Sequence, residues 1–169
     1  MILEDRNITT IYSGEYYISD DPHVVIYTLL GSCIAVCLYD ELNCIGGMNH
    51  FMLPQAVEGQ HLKEGCYGLQ SLELMIKDLL NQGARYQNLK AKIFGGGKMV
   101  GFSSQKNDIS LANIRFALKY LESKQIPIIA KELGGTLGRK IYYVLADHSV
   151  YVQRLNREVN FSDGSRPVK

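Results

Sequence analysis

Cys33 follows a Gly31-Ser32 pair, and His50 comes seventeen residues later inside an apolar run. A thiol and an imidazole are the parts of a nucleophile–base pair. The thiolate is the attacking form of cysteine, and a thiol is mostly protonated near neutral pH. An imidazole within reach takes that proton and later returns one to a leaving group. Acyl transfer also needs donors for the negative oxygen that develops on the attacked carbonyl. Gly31, Ser32 and Cys33 offer backbone N–H groups with little side-chain cover, and Gly46 and Gly47 leave room for close approach. A third group has to hold the histidine ring. Thr28 is a candidate acceptor, and Asn49 adjoins His50 in the chain. Ser32 alternates to the face opposite Cys33 and so points away from the histidine.

The competing reading is plain packing. A cysteine in an apolar strand is most often core, and Cys37 and Cys44 read that way. Cys66 lies in a polar stretch that implies no chemistry. What separates Cys33 and His50 from core filler is whether they meet.

They meet if Cys33–Tyr39 and Cys44–Met52 form a hairpin. Both are short apolar runs, separated by Asp40-Glu41-Leu42-Asn43. A two-residue turn at Glu41-Leu42 pairs Asp40 with Asn43. A four-residue loop over Asp40–Asn43 pairs Tyr39 with Cys44. Either register sets Cys33 directly opposite His50, with Cβ atoms about 4.5–5.5 Å apart. A three- or five-residue loop would turn the two side chains to opposite faces.

The remaining elements frame this hairpin. Residues 9–19 alternate like strand sequence with a glycine break, and His23–Thr28 is β-branched and aromatic. Gln55–Tyr67 reads as a loop. Leu69, Leu72, Ile76, Leu79 and Leu80 repeat at helical spacing, with Gly83 placed as a C-terminal cap. Leu89–Phe94 reads as a strand running into Gly95-Gly96-Gly97. Asp108 or Ser110 is placed to cap a second helix with Leu111, Ile114, Leu118 and Leu121 on its apolar face. Ile126–Leu133 reads as a strand, and Ile141–Ala146 with Ser149–Leu155 as a closing hairpin. This pattern predicts an α+β fold, a layered α/β sandwich with a mostly antiparallel or mixed sheet and two main helices. Residues 1–155 form the domain and 156–169 a polar tail.

Composition narrows the function classes. The chain has 169 residues, 18 basic and 17 acidic, so nothing suggests a broad nucleic-acid face. Arg139, Lys140, Arg154, Arg157, Arg166 and Lys169 thicken the C-terminal end, as a solvated surface and tail would. No run is long and apolar enough for a membrane span, and MILEDRNITT lacks the basic start of a secretory signal. A cytoplasmic protein with free thiols is expected. No C-x-x-C pair occurs, so no metal site and no cofactor is expected. Gly95-Gly96-Gly97-Lys98-Met99 is not a phosphate loop, because Lys92 and Met99 stand where a glycine and a Ser or Thr are required. It reads as a tight loop beside the site or at a partner surface. Gly134–Arg139 reads as a turn between strands that shapes the substrate groove.

The blocks TLLGSCIAVCLYD, GGMNHFMLP, KIFGGGKM and LGGTLGRKIYY together resemble the chemoreceptor glutamine deamidase family, CheD, in order from about Tyr12 to Leu155. The resemblance implies a cysteine amidohydrolase that converts chosen glutamine side chains on the helical cytoplasmic part of methyl-accepting chemotaxis receptors to glutamate. It puts the nucleophile on Cys33 and the base on His50. The family's threonine falls on Thr28 by the wording TLLGSC, or on Tyr27 if the register differs by one. The resemblance also implies a layered α/β sandwich and a small phosphatase partner, CheC. A non-catalytic adaptor binding receptors or a CheC-type phosphatase is the alternative, and a different cysteine acyl-transfer enzyme is another.

Overall fold

The computed structural model describes residues 6–52, 68–98 and 109–155. Its strands are β1 (Asn7–Thr10), β2 (Tyr16–Ser19), β3 (Val24–Leu30), β4 (Ile34–Asp40), β5 (Ile45–Phe51), β6 (Lys90–Gly95), β7 (Ile128–Leu133), β8 (Arg139–Val144) and β9 (Val150–Arg154). The helices are α1 (Gly68–Asn81) and α2 (Ile109–Ser123). The expected tail, the Gln55–Tyr67 loop, Asp108 and Cys66 lie outside the described residues.

The expected α+β sandwich is present, built on two sheets. One has the order β1-β3-β8-β9, the other β2-β5-β4-β6-β7. Pairing is antiparallel except for β1 with β3 and β6 with β7. Ile26, Leu30, Ala35, Cys37, Met48, Phe94, Ile141 and Tyr143 pack in one apolar cluster, contributed by both sheets. The five-stranded sheet packs its other face on the helices through Val36, Leu38, Phe51, Ile93, Leu72, Met75, Leu79 and Leu121. Every residue of β4 and β5 is buried, because the five-stranded sheet is the middle layer. Their near-continuous apolar sequence follows from that: neither face meets water.

Several expectations need correction. Asp40 pairs with Ile45 across Glu41–Cys44, so the hairpin register is two residues from the one expected. Asp40 selects this loop. Its buried carboxylate accepts the backbone N–H groups of Leu42 (3.0 Å), Asn43 (3.1 Å) and Arg85 (2.8 Å). These bonds hold the carboxyl below its usual range against the opposing effect of burial. Cys44 is therefore an exposed turn residue with φ 52°, not core. Leu111 is 41% exposed, and the buried face of α2 instead carries Ser110, Asn113, Ala117, Tyr120 and Leu121. Ser110 lies inside the helix, where its hydroxyl donates to the Gly97 carbonyl at 3.0 Å. Leu80 is half-exposed on α1, whereas Gly83 ends that helix in the left-handed region as expected, at φ 108°. Arg139 is not surface charge. It is buried, and it shares Glu132 Oε1 with Arg154 at 2.9 and 3.0 Å.

Candidate active site

Gly31, Ser32 and Cys33 carry the chain from β3 in one sheet to β4 in the other. Three residues span at most about 10 Å, which is the spacing of stacked sheets. The segment bends at Gly31 and Ser32 as it crosses between the sheets, and its carbonyls need partners. Gly96 N–H donates to the Cys33 carbonyl and Gly97 N–H to the Gly31 carbonyl, each at 2.8 Å. Asn113 Nδ2 donates to the Ser32 carbonyl at 2.9 Å. All three successive carbonyls are thereby held, two by the glycine run and one by α2. Gly95 has φ 113°, and a Cβ there would run into the Cys33 carbonyl oxygen. The glycine run is thus the clamp on the cysteine loop. It is backed in turn by the turn after β7, through Gly134 N–H to the Gly95 carbonyl (2.9 Å) and Lys98 N–H to the Gly135 carbonyl (2.8 Å).

His50 lies opposite Ala35, two residues from Cys33. An even shift preserves the face, and Cys33 packs with Ala35, Cys37 and Met48 in the inter-sheet cluster. The thiol and imidazole are diagonal neighbours, with Cα atoms about 7–8 Å apart in that geometry. They are not the directly opposed pair expected.

The third residue is decided by which face of β3 it occupies. Tyr27 turns outward and packs its ring on Tyr142, centroids 4.9 Å apart. Thr28 turns inward, is fully buried, and its Oγ1 lies 2.8 Å from His50 Nδ1. The same hydroxyl donates to the Ile11 carbonyl at 2.8 Å. A hydroxyl has one proton. With it committed to Ile11, the ring must donate from Nδ1, and the lone pair sits on Nε2. That Nε2 is buried and has no partner. An unpartnered buried acceptor costs about 1–3 kcal/mol, and a catalytic role is one of the reasons a protein keeps such a group. Asn49 plays no part here. It faces α1, accepting from Val36 N–H and donating to Ser71 Oγ, both at 3.0 Å.

Burial lowers the His50 pKa from 6.5 to about 4, opposed by the Glu15 carboxylate. Burial also pushes the Cys33 thiol up, opposed by the Ser13 hydroxyl and the residue's own backbone N–H. Burial thus favours the neutral form of each group. Cys33 is partly exposed, so a substrate can reach it.

Gly46 and Gly47 are not at this site. Gly46 opposes Tyr39, six residues along β4 from Cys33 and about 20 Å away. A Cβ at Gly46 would strike the Tyr143 hydroxyl, and one at Gly47 would strike Ile18 of β2. Both are glycine because neighbouring strands and side chains fill the space.

The profile of the family described as "CheD chemotactic sensory transduction" matches residues 52–154. A relative in Ruegeria sp., named "Probable chemoreceptor glutamine deamidase CheD 1", is 39% identical over 142 residues, which is 84% of this chain and 74% of that protein. A "Probable chemoreceptor glutamine deamidase CheD" of Bordetella avium is 39% identical over 89% of this chain and 67% of its own length. One of Geobacter sulfurreducens is 38% identical over 90% and 80%. The chain belongs to the CheD family. Within this CheD domain, two residues beside the cysteine loop escape sequence reasoning. Asn113 is one, although a polar pair at Ser110 and Asn113 on one side of an amphipathic helix is a readable sign of buried polar contacts. Ser13 is the other, and no spacing rule marks it. Among the described residues, no helix is long and apolar enough to cross a membrane.

Proposed function

We propose that this protein hydrolyses glutamine side-chain amides of chemotaxis receptors to glutamate and ammonia, with Cys33 as nucleophile and His50 as base. The observation that carries the reading is the buried, unpartnered Nε2 of His50, whose Nδ1 lies against Thr28 and whose strand position opposes Ala35, two residues from Cys33. The names of the relatives support the substrate class.

In the first half-reaction His50 Nε2 takes the thiol proton as Cys33 Sγ bonds to the carboxamide carbon. The carbonyl π pair moves to oxygen. Collapse of that adduct breaks the C–N bond, and His50 returns the proton to the departing nitrogen, releasing ammonia and leaving a thioester. In the second half-reaction water gives a proton to Nε2 and bonds to the thioester carbon. The C–S bond then breaks, sulfur regains the proton, and glutamate is released. Thr28 keeps the ring in the tautomer that both halves require. No metal or organic cofactor is called on in these steps. The receptor's cytoplasmic helical region is the partner in this reading, a CheC-type phosphatase is a second one, and the reaction belongs to the cytoplasm.

The test is mass spectrometry of a receptor cytoplasmic fragment, all glutamine at its modification sites, incubated with the intact protein and with Cys33→Ala. Conversion of glutamine to glutamate by the intact protein alone is the expected result. Binding of the fragment by both forms without conversion by either would replace the enzyme with an adaptor.

A further inference from the structure

Ser13 stands in the loop between β1 and β2, and its chain neighbours are tied to the site on both sides. The Ile11 carbonyl takes the Thr28 proton at 2.8 Å. Gly14 N–H donates to the His50 carbonyl at 2.7 Å, and His50 N–H donates to the Glu15 carbonyl at 2.9 Å. Within the loop, Tyr12 N–H donates to Glu15 Oε2 at 2.9 Å and Glu15 N–H to the Tyr12 carbonyl at 3.0 Å. The loop is thus bolted to the histidine and its threonine, which brings Ser13 to the site, where its hydroxyl opposes the upward push of burial on the Cys33 thiol. Ser13 is exposed and fills no core.

An oxyanion beside Cys33 needs donors. The N–H groups of Gly96 and Gly97 are committed to the Cys33 and Gly31 carbonyls. The Cys33 N–H likewise opposes the upward push on its own thiol. A hydroxyl on a fixed loop supplies a second donor that can swing between sulfur and oxygen without moving the backbone.

We propose that Ser13 is a hydrogen-bond donor to the reacting centre, steadying the Cys33 sulfur before attack and, with the Cys33 N–H, the oxyanion that follows. This rests on Cys33 being the nucleophile of the proposed deamidation. It adds a group from a separate segment of the chain to the Cys33, His50 and Thr28 set.

Two readouts on the full chain test it, using Ser13→Ala and Ser13→Thr. The first is alkylation of Cys33 by iodoacetamide across pH, read at the Cys33 peptide by mass spectrometry, and it requires no receptor. Ser13→Ala should shift the profile to higher pH, and Ser13→Thr should restore it. The second is deamidation of the receptor fragment. There Ser13→Ala should lower kcat about ten- to hundredfold with KM little changed. Thermal melting should not move, since the backbone bonds of the loop remain. An alkylation profile and kcat unchanged in Ser13→Ala overturn the proposal. So does impairment of Ser13→Thr equal to that of Ser13→Ala, which would make the loop's packing responsible. If the unaltered protein deamidates nothing, the deamidase reading fails on its own, and the alkylation profile still decides whether Ser13 acts on the sulfur.

Discussion

Replacing Thr28 by Val removes one hydroxyl and little volume, and the structure says what should follow. The hydroxyl makes two buried contacts, each 2.8 Å, one to the Ile11 carbonyl and one to His50 Nδ1. In the variant the Ile11 carbonyl loses its partner, and so does the Nδ1–H. Each buried orphan costs about 1–3 kcal/mol. The ring can escape part of this by moving its proton to Nε2. Stability should fall by about 2–4 kcal/mol. The tautomer shift is the more telling consequence. A neutral bond worth about 0.5–1.5 kcal/mol holds the proton on Nδ1, and losing it changes the tautomer ratio about two- to tenfold. Activity should fall by a similar factor, because a protonated Nε2 cannot accept from the thiol. Long-range proton–nitrogen NMR on histidine-labelled protein reads this directly, with His50→Gln to assign the ring. The expected spectrum has a bare Nε2 in the unaltered protein and protonated Nε2 appearing in Thr28→Val, while Thr28→Ser keeps the native pattern. A protonated Nε2 in the unaltered protein would refute the derivation at its root.

Other outcomes follow from the same geometry. Burial depresses the His50 pKa from 6.5 to about 4, so between those values the unfolded chain binds the proton and the folded protein does not. This contribution to stability is complete above pH 6.5, declines as pH falls, and is gone below the folded value, a loss of about 3 kcal/mol. Denaturant titration of the unaltered protein against His50→Gln should show that difference in slope, and parallel pH curves would contradict it. Gly95→Ala forces a Cβ toward the Cys33 carbonyl at φ 113°. It should cost about 1–3 kcal/mol and alter the rate of Cys33 alkylation, read by melting and peptide mapping. Asn113→Leu frees the Ser32 carbonyl and should cost about 1–3 kcal/mol, with kcat falling more than KM rises, checked by steady-state deamidation kinetics. Gly46→Ala crowds the Tyr143 hydroxyl. It should lower the melting temperature yet leave the Cys33 alkylation profile intact, since the two places are at opposite ends of β4.

The sequence by itself determined most of the elements and singled out Cys33 and His50 as the candidate pair. Two short apolar runs marked β4 and β5 as the strands of a hairpin, and helical spacing with Gly83 marked α1. A cysteine after a Gly-Ser pair, with a histidine in the following run, marked the candidate chemistry, because an imidazole in reach of a thiol can take its proton. Those features are local, and local pattern follows from covalent spacing and burial alone. Tertiary structure decided what local pattern leaves open. Asp40 draws backbone N–H groups from both its own turn and the segment at Arg85, and that contact set the hairpin register two residues from the expected one. Thr28 and Tyr27 are equal candidates in the chain, but β3 presents only one of them to the other sheet. The clamp on the cysteine loop combines Gly95–Gly97 with Asn113, more than sixty residues downstream of Cys33. Ser13 comes to the site because its loop is hydrogen-bonded to His50. Each of these depends on a backbone carbonyl or N–H finding its partner across the fold, and such partners carry no signature in the order of the residues.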